Sequence, residues 1–144
     1  MIGINTNILL YSLNPSSRFQ PKAAAFITET FGDPSIRVGI TDYVLVELYN
    51  HLRNTAVMRK PLSAKAAVDV VLSFLDASNV VRIESGPVMD EVWKKAASKN
   101  FPRRKIFDVR LGLTLVHHGV TEFATANVKD FSGLGFDRVW NPAK

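Results

Sequence analysis

The chain opens Met1-Ile2-Gly3-Ile4-Asn5-Thr6-Asn7-Ile8-Leu9-Leu10-Tyr11. Ile2–Ile4 reads as a short buried strand. It stops at a polar tripeptide, and the apolar residues that follow turn at once into a helix. A strand that feeds a helix in this way belongs to an open α/β sheet. Such sheets bind their ligands at the carboxyl ends of the strands. Asn5-Thr6-Asn7 therefore falls where a site would be built.

The rest of the chain repeats the alternation. A turn at Asn14-Pro15 precedes a helix over Lys22–Phe31, with Ala23, Phe26, Ile27 and Thr30 facing the core and Gly32 as its cap. Ile36–Ile40 reads as the second strand. Thr41 caps a helix through about Asn54 whose inner face is Val44, Leu45, Leu48 and Leu52. Ser63 caps another after the break at Pro61, with Val68, Val71, Leu72 and Leu75 at core spacing. Val80–Ile83 is a third strand, and Pro87 suits the start of a helix that runs to about Lys99. Asn100 to Lys105 is a basic loop, and Asp108 starts a helix that Gly119 closes. Glu122–Thr125 and Arg138–Trp140 are the last strands. Strands separated by helices pair in parallel through right-handed crossovers. The expected fold is a three-layer α/β/α sandwich with a central parallel sheet.

Composition limits the possibilities. The 144 residues suffice for one compact domain, and 47% hydrophobic content gives it a core. The absence of cysteine excludes disulfides, thiolate metal sites and cysteine nucleophiles. No apolar run approaches the roughly 18 residues of a membrane span, and no targeting segment is visible, so a cytoplasmic protein is expected. The net charge of +5 points weakly to a polyanion. Arg103-Arg104-Lys105 is its densest basic cluster.

Five polar positions should converge at the carboxyl edge of the sheet. Asn5 follows the first strand, Glu47 lies on the helix after the second, and Asp108 opens the sixth helix. Asn127 and Asp130 follow the fourth strand. Taken singly, each has an ordinary role. Asn5 and Asp108 suit helix ends, Glu47 suits a wet helix face, and Asn127 and Asp130 suit an Asx turn. Gathered together, carboxylates repel unless a hard cation sits between them, and Mg²⁺ favours such oxygens. His117-His118 reads as a helix C-terminal or surface pair. His51, one turn after Glu47, reads as a surface histidine or a partner that orients that carboxylate. Trp93, Phe101 and Trp140 are expected as core or interface anchors.

Asn5-Thr6-Asn7-Ile8-Leu9-Leu10-Tyr11, Asp108-Val109-Arg110-Leu111-Gly112-Leu113-Thr114-Leu115, and Thr125-Ala126-Asn127-Val128-Lys129-Asp130-Phe131 appear in an order that resembles the PIN domain. Within that family they are similar to the VapC-type toxin ribonucleases of type II toxin–antitoxin systems. The resemblance spans residues 1–144 as a single PIN domain. It implies an endoribonuclease that uses Mg²⁺ or Mn²⁺, forms homodimers and is held by a cognate antitoxin. The helices Lys22–Phe31 and Ser63–Leu75 are the expected dimer faces.

Carried over by position, the resemblance gives Asn5, Glu47, Asp108, Asn127 and Asp130 as the catalytic set, with Asn5, Glu47, Asp108 and Asp130 toward metal. Thr6, Arg103, Arg104 and Lys105 would meet the RNA, and Asn7 would brace the loop. The family usually has Asp where this chain has Asn5. A silenced nuclease, a non-catalytic module that binds RNA or antitoxin, and a site that tolerates the amide all remain open at this stage. So does a nuclease directed at DNA.

Overall fold

A computed structural model describes residues 1–144. The elements run β1 (Ile2–Ile4), α1 (Thr6–Leu13), α2 (Gln20–Gly32), β2 (Val38–Thr41), α3 (Asp42–Leu52), α4 (Ala64–Ser73) and β3 (Val80–Ile83). Then come α5 (Met89–Ala96), α6 (Lys105–His117), β4 (Glu122–Ala124), a 3₁₀ turn (Val128–Phe131) and β5 (Arg138–Trp140). All strand pairs are parallel, and the sheet order is β3-β2-β1-β4-β5. The chain steps outward from β1 to β2 to β3, then crosses back to place β4 on the other side of β1. Right-handed crossovers put α1–α4 on one face and α5–α6 on the other. In keeping with this, α1 packs on α2 and α3, α3 packs on α4, and α5 packs on α6. The direction reverses between β1 and β4, which is the switch point where open α/β sheets form a crevice.

The layers close over Ile4, Ile8, Leu48, Leu52, Ile83, Leu115 and Phe123, all essentially without exposure. Burying each such side chain contributes roughly 1.5–3 kcal/mol. Close packing also fixes two glycines. A Cβ at Gly39 would stand 2.6 Å from Ile83 Cδ1, and one at Gly112 would stand 2.5 Å from Leu134 Cδ1. No helix is long and apolar enough to cross a membrane.

The structure corrects several boundaries. The second strand is Val38–Thr41, so Thr41 both ends the strand and caps α3 through Val44 N–H at 3.2 Å. Gly32 is the last residue of α2 and not a left-handed cap. The chain leaves through Asp33 in an extended conformation, and the Asp33 side chain closes the turn by accepting from Ser35 N–H at 2.9 Å. Helix α4 is rotated from its expected face. Ala67, Val71 and Phe74 face inward, while Val68 (43% exposed) and Leu72 (52%) face outward. Helix α5 ends at Ala96, short of Lys99, and Trp93 is an exposed residue, not a core anchor. Helix α6 starts at Lys105, which leaves Asp108 within its first turn rather than capping it. Gly119, at φ +85°, ends α6 in the left-handed conformation that favours glycine.

Candidate active site

The site begins where β1 ends. Asn5 N–H donates to Ala124 O at 3.0 Å and so continues the β1–β4 ladder by one residue. The Asn5 side chain is then committed at both ends. Its Oδ1 accepts from Thr6 N–H at 2.8 Å, the hydrogen bond of a helix cap, and its Nδ2 donates to Thr125 Oγ1 at 2.9 Å. Thr125 Oγ1 also accepts from Asn127 N–H at 3.0 Å. One hydroxyl thus joins the ends of β1 and β4. Asn7 Oδ1 accepts from Ala126 N–H at 3.1 Å and ties the same two segments.

Thr6 links this corner to α3. Its hydroxyl donates to Glu47 Oε2 at 2.7 Å, with Val44 O a weaker alternative acceptor at 3.4 Å. Glu47 is exposed by area, yet this bond fixes its carboxylate on the cavity wall. Asp108 approaches from α6 and is half-buried. Burial pushes its carboxyl above the ordinary carboxylate value, and the nearby charges of Asp130 and Glu47 push it further. Lys105 acts in the opposite sense.

Asn5, Thr6, Asn7, Glu47, Asp108 and Asn127 all line one cavity of about 750 Å³ between α3 and α6. Asp130 lies outside it, on the wall of a neighbouring cleft that shares Asn127. The Asn127 side chain makes no capping bond to the 3₁₀ turn. Arg103 and Arg104 are exposed just before α6 and Lys105 begins it, and none of the three lines the cavity. His51 lines the cavity, but its Nδ1 is buried without a partner, so no bond from that atom orients Glu47. His118 Nδ1 contacts Thr114 O at 2.8 Å at the end of α6, and His117 beside it is exposed.

Sequence reasoning missed Phe107, Arg110, Tyr43 and Asp42 as residues of the cavity wall. Phe107 is 63% exposed beside Asp108. Arg110 lies over the Tyr43 ring, with its guanidinium carbon 4.0 Å from the centroid. Arg110 and Tyr43 belong to α6 and α3, so no local pattern pairs them. Asp42 also lines the cavity, but its carboxylate is taken by Arg82 at 2.9 and 3.1 Å.

The donor set is hard oxygen, which suits Mg²⁺ or Mn²⁺. No three His, Asp or Glu side chains converge closely enough to hold an ion by themselves. Of the five expected positions, the four that line the cavity include two amides, Asn5 and Asn127, and this thins the shell. Mg²⁺ commonly binds through one or two carboxylates, with water and substrate phosphate completing its shell. Glu47, Asp108 and the Asn5 amide oxygen fit that sparse arrangement.

No family profile matches the chain. It is 45% identical over 142 residues to ribonuclease VapC24 of Mycobacterium tuberculosis, covering 99% of this chain and 97% of that protein. The same figures hold for the ribonuclease VapC24 sequence of a second strain of that species. Among solved structures it superposes on M. tuberculosis VapC20, described as a sarcin–ricin loop cleaving toxin. The TM-score is 0.63 at 16% identity, over 94% of this chain and 96% of that one. FitAcB from Neisseria gonorrhoeae gives a TM-score of 0.59 at 19% identity, over 99% and 98% of the two chains. FitAB bound to an IR36 DNA fragment gives 0.59 at 15% identity, over 100% and 96%. At these identities the structural matches speak for the fold, and the near-full-length identity to VapC24 decides the family. The chain belongs to the VapC-type toxin ribonucleases of the PIN-domain family.

Proposed function

We propose that this chain is a metal-dependent endoribonuclease weakened by the missing carboxylate at position 5. The observation that carries this reading is the surroundings of Asn5. Thr6 N–H already donates to the side chain, and Thr125 Oγ1 meets it at 2.9 Å. A hydroxyl both donates and accepts. Rotation of the Thr125 hydroxyl would turn an acceptor for the amide into a donor for a carboxylate. The corner is therefore built to take Asp with no movement of heavy atoms.

Glu47 and Asp108 would hold Mg²⁺ or Mn²⁺ together with the oxygen of residue 5, and Asp130 would add charge from the next cleft. Such an ion lowers the pKa of bound water and stabilises charge on a phosphodiester. The chain's own residues do the rest. Thr6 keeps Glu47 pointed at the cavity, and Asn7 and Thr125 keep the ends of β1 and β4 in register. Membership in the toxin family supports a cognate antitoxin as partner and action on RNA in the cytoplasm. It also supports a homodimer, to which the outward Val68 and Leu72 of α4 would contribute apolar surface.

The test is cleavage of single-stranded RNA with Mg²⁺, comparing this chain with Asn5→Asp. The Asn5→Asp variant should cut about 10–100-fold faster, the scale known for altered metal surroundings, and EDTA should stop it. Cleavage that persists in EDTA would sink the metal-dependent reading. The neutral Asn5 and Asn127, and the absence of a three-carboxylate cluster, favour a second reading. In it the chain is a non-catalytic module that binds RNA or antitoxin. RNA binding without turnover, even after Asn5→Asp, would select it.

A further inference from the structure

One wall of the cavity has no part in the acid cluster. Arg110 stands two positions after Asp108 on α6 and is the only lysine or arginine that lines the cavity. Its guanidinium is held against the face of Tyr43. Its Nε is buried and has no hydrogen-bond partner. It also lacks a carboxylate partner, because the ion pairs of the chain are Lys65–Asp69, Arg82–Asp42 and Lys95–Glu91. A guanidinium cannot shed its proton, so it keeps its charge and its unmet donors. A planar cation stacked on an aromatic ring, with free donors in a cavity, is suited to a phosphate oxygen.

Phe107 adds a second element. It is a large apolar side chain left exposed on the same cavity, next in sequence to Asp108. An exposed aromatic face beside a phosphate-binding cation is the arrangement that holds unpaired bases.

We infer that Arg110, braced by Tyr43, and Phe107 form the RNA subsite beside the acid cluster. Arg110 takes a phosphate oxygen next to the scissile bond, and Phe107 stacks the base of an unpaired nucleotide. This rests on the ribonuclease reading above and names the substrate class as single-stranded or looped RNA. It moves the principal phosphate contact from Arg103, Arg104 and Lys105 into the cavity. A paired base cannot stack on Phe107, so duplex RNA should bind less well.

The test is equilibrium binding of a fluorescent, mixed-sequence single-stranded RNA to the chain as it stands, in EDTA, across a salt series. Arg110→Met should weaken binding about tenfold and flatten the dependence of log K on log salt by about 0.7, the value of one phosphate contact on a single strand. Phe107→Ala should weaken binding by a similar factor, about tenfold, and leave the salt slope unchanged, because stacking carries no charge. Arg103→Ala with Arg104→Ala should have the smaller effect. Thermal melting checks that each variant is folded. Should Arg110→Met unfold, Arg110→Lys decides: lost affinity at an unchanged slope supports the subsite, and parental affinity overturns it. Parental affinity and slope in both Arg110→Met and Phe107→Ala would also overturn it. A parent chain that does not bind single-stranded RNA would instead defeat the ribonuclease reading, and the subsite with it.

Discussion

Two asparagines are buried in this fold, and they are buried for different reasons. Asn79 (9% exposed) precedes β3 at the amino edge of the sheet, and Asn5 (6%) follows β1 at the carboxyl edge. Asn79 Nδ2 reaches three backbone carbonyls, Thr30 O at 3.0 Å, Asp33 O at 3.0 Å and Ile36 O at 2.8 Å. These carbonyls span the α2–β2 connection, so one amide nitrogen holds that loop. Carbonyls only accept, and position 79 therefore requires a donor. Asn5 donates to a hydroxyl, which can reverse its role. Equal burial thus conceals opposite tolerance for a carboxylate. What separates a structural amide from a site amide is whether its partners can change sides.

The sharpest way to break that comparison is to make the same change at both positions. Asn79→Asp sets a carboxylate against three carbonyl oxygens, and the lost hydrogen bonds and desolvated charge should cost about 3 kcal/mol. The melting temperature should fall by about 10 °C. Asn5→Asp should shift the melting temperature by less than about 3 °C without divalent metal, while RNA cleavage rises as proposed above. Thermal melts of the two variants, side by side, read the contrast directly. If Asn5→Asp proves as destabilising as Asn79→Asp, the Thr125 hydroxyl has not reversed.

The middle-sized effect belongs to Thr125 itself. Thr125→Val keeps the shape and removes the hydroxyl shared by Asn5 and Asn127 N–H. Losing these bonds should cost about 1–2 kcal/mol. In the Asn5→Asp background it should also lower RNA cleavage about tenfold, because a partner that orients a ligating group is lost. Thr125→Ser, which restores the hydroxyl, should recover most of both. A variant pair with equal cleavage rates would mean that the hydroxyl plays no part in aiming residue 5.

Much of this architecture is legible in the sequence because the strands are short runs bounded by turns and helices, and β1 and β2 stop directly at capped helices. The strands at Ile2–Ile4, Val80–Ile83 and Arg138–Trp140 follow from that pattern without adjustment. Helix α4 did not follow, and the reason is physical. Ala66-Ala67-Val68-Asp69-Val70-Val71-Leu72 is apolar on nearly every side, so periodicity leaves its phase open and packing by Ala67, Val71 and Phe74 decides. At the site, Asn5, Glu47, Asp108 and Asn127 were placed by counting strand ends, and they do line one cavity. Asp130 was placed by the same rule but falls in the next cleft, because the 3₁₀ turn carries it past Asn127. The stacking of Arg110 on Tyr43 exists only once α3 and α6 are packed.

The smallest predicted effect lies at Asp108, which a carboxylate at position 5 would have to face. The folded state holds the Asp108 proton more tightly than the unfolded chain does, because burial, Asp130 and Glu47 all disfavour the charge. Stability should therefore fall as pH rises from the ordinary carboxylate range through the raised folded value, with the full penalty above it. Asp108→Asn removes that penalty. It should raise the melting temperature by roughly 1–2 °C at neutral pH, a small figure because Asp108 is only half-buried, and the gain should vanish below about pH 4. Adding Asn5→Asp brings in another negative charge, so the fall in stability with pH should steepen, and Mg²⁺ should reverse it by binding the folded state. Asn79→Asp should add its own fall in stability over this pH range, because its buried carboxylate faces only carbonyl oxygens. Mg²⁺ should not reverse that fall, because Asn79 sits at the other edge of the sheet. If Asp108→Asn lowered the melting temperature equally at pH 4 and pH 7, the carboxylate would be a stabilising part of the fold. The strain assigned to this corner would then have to lie elsewhere.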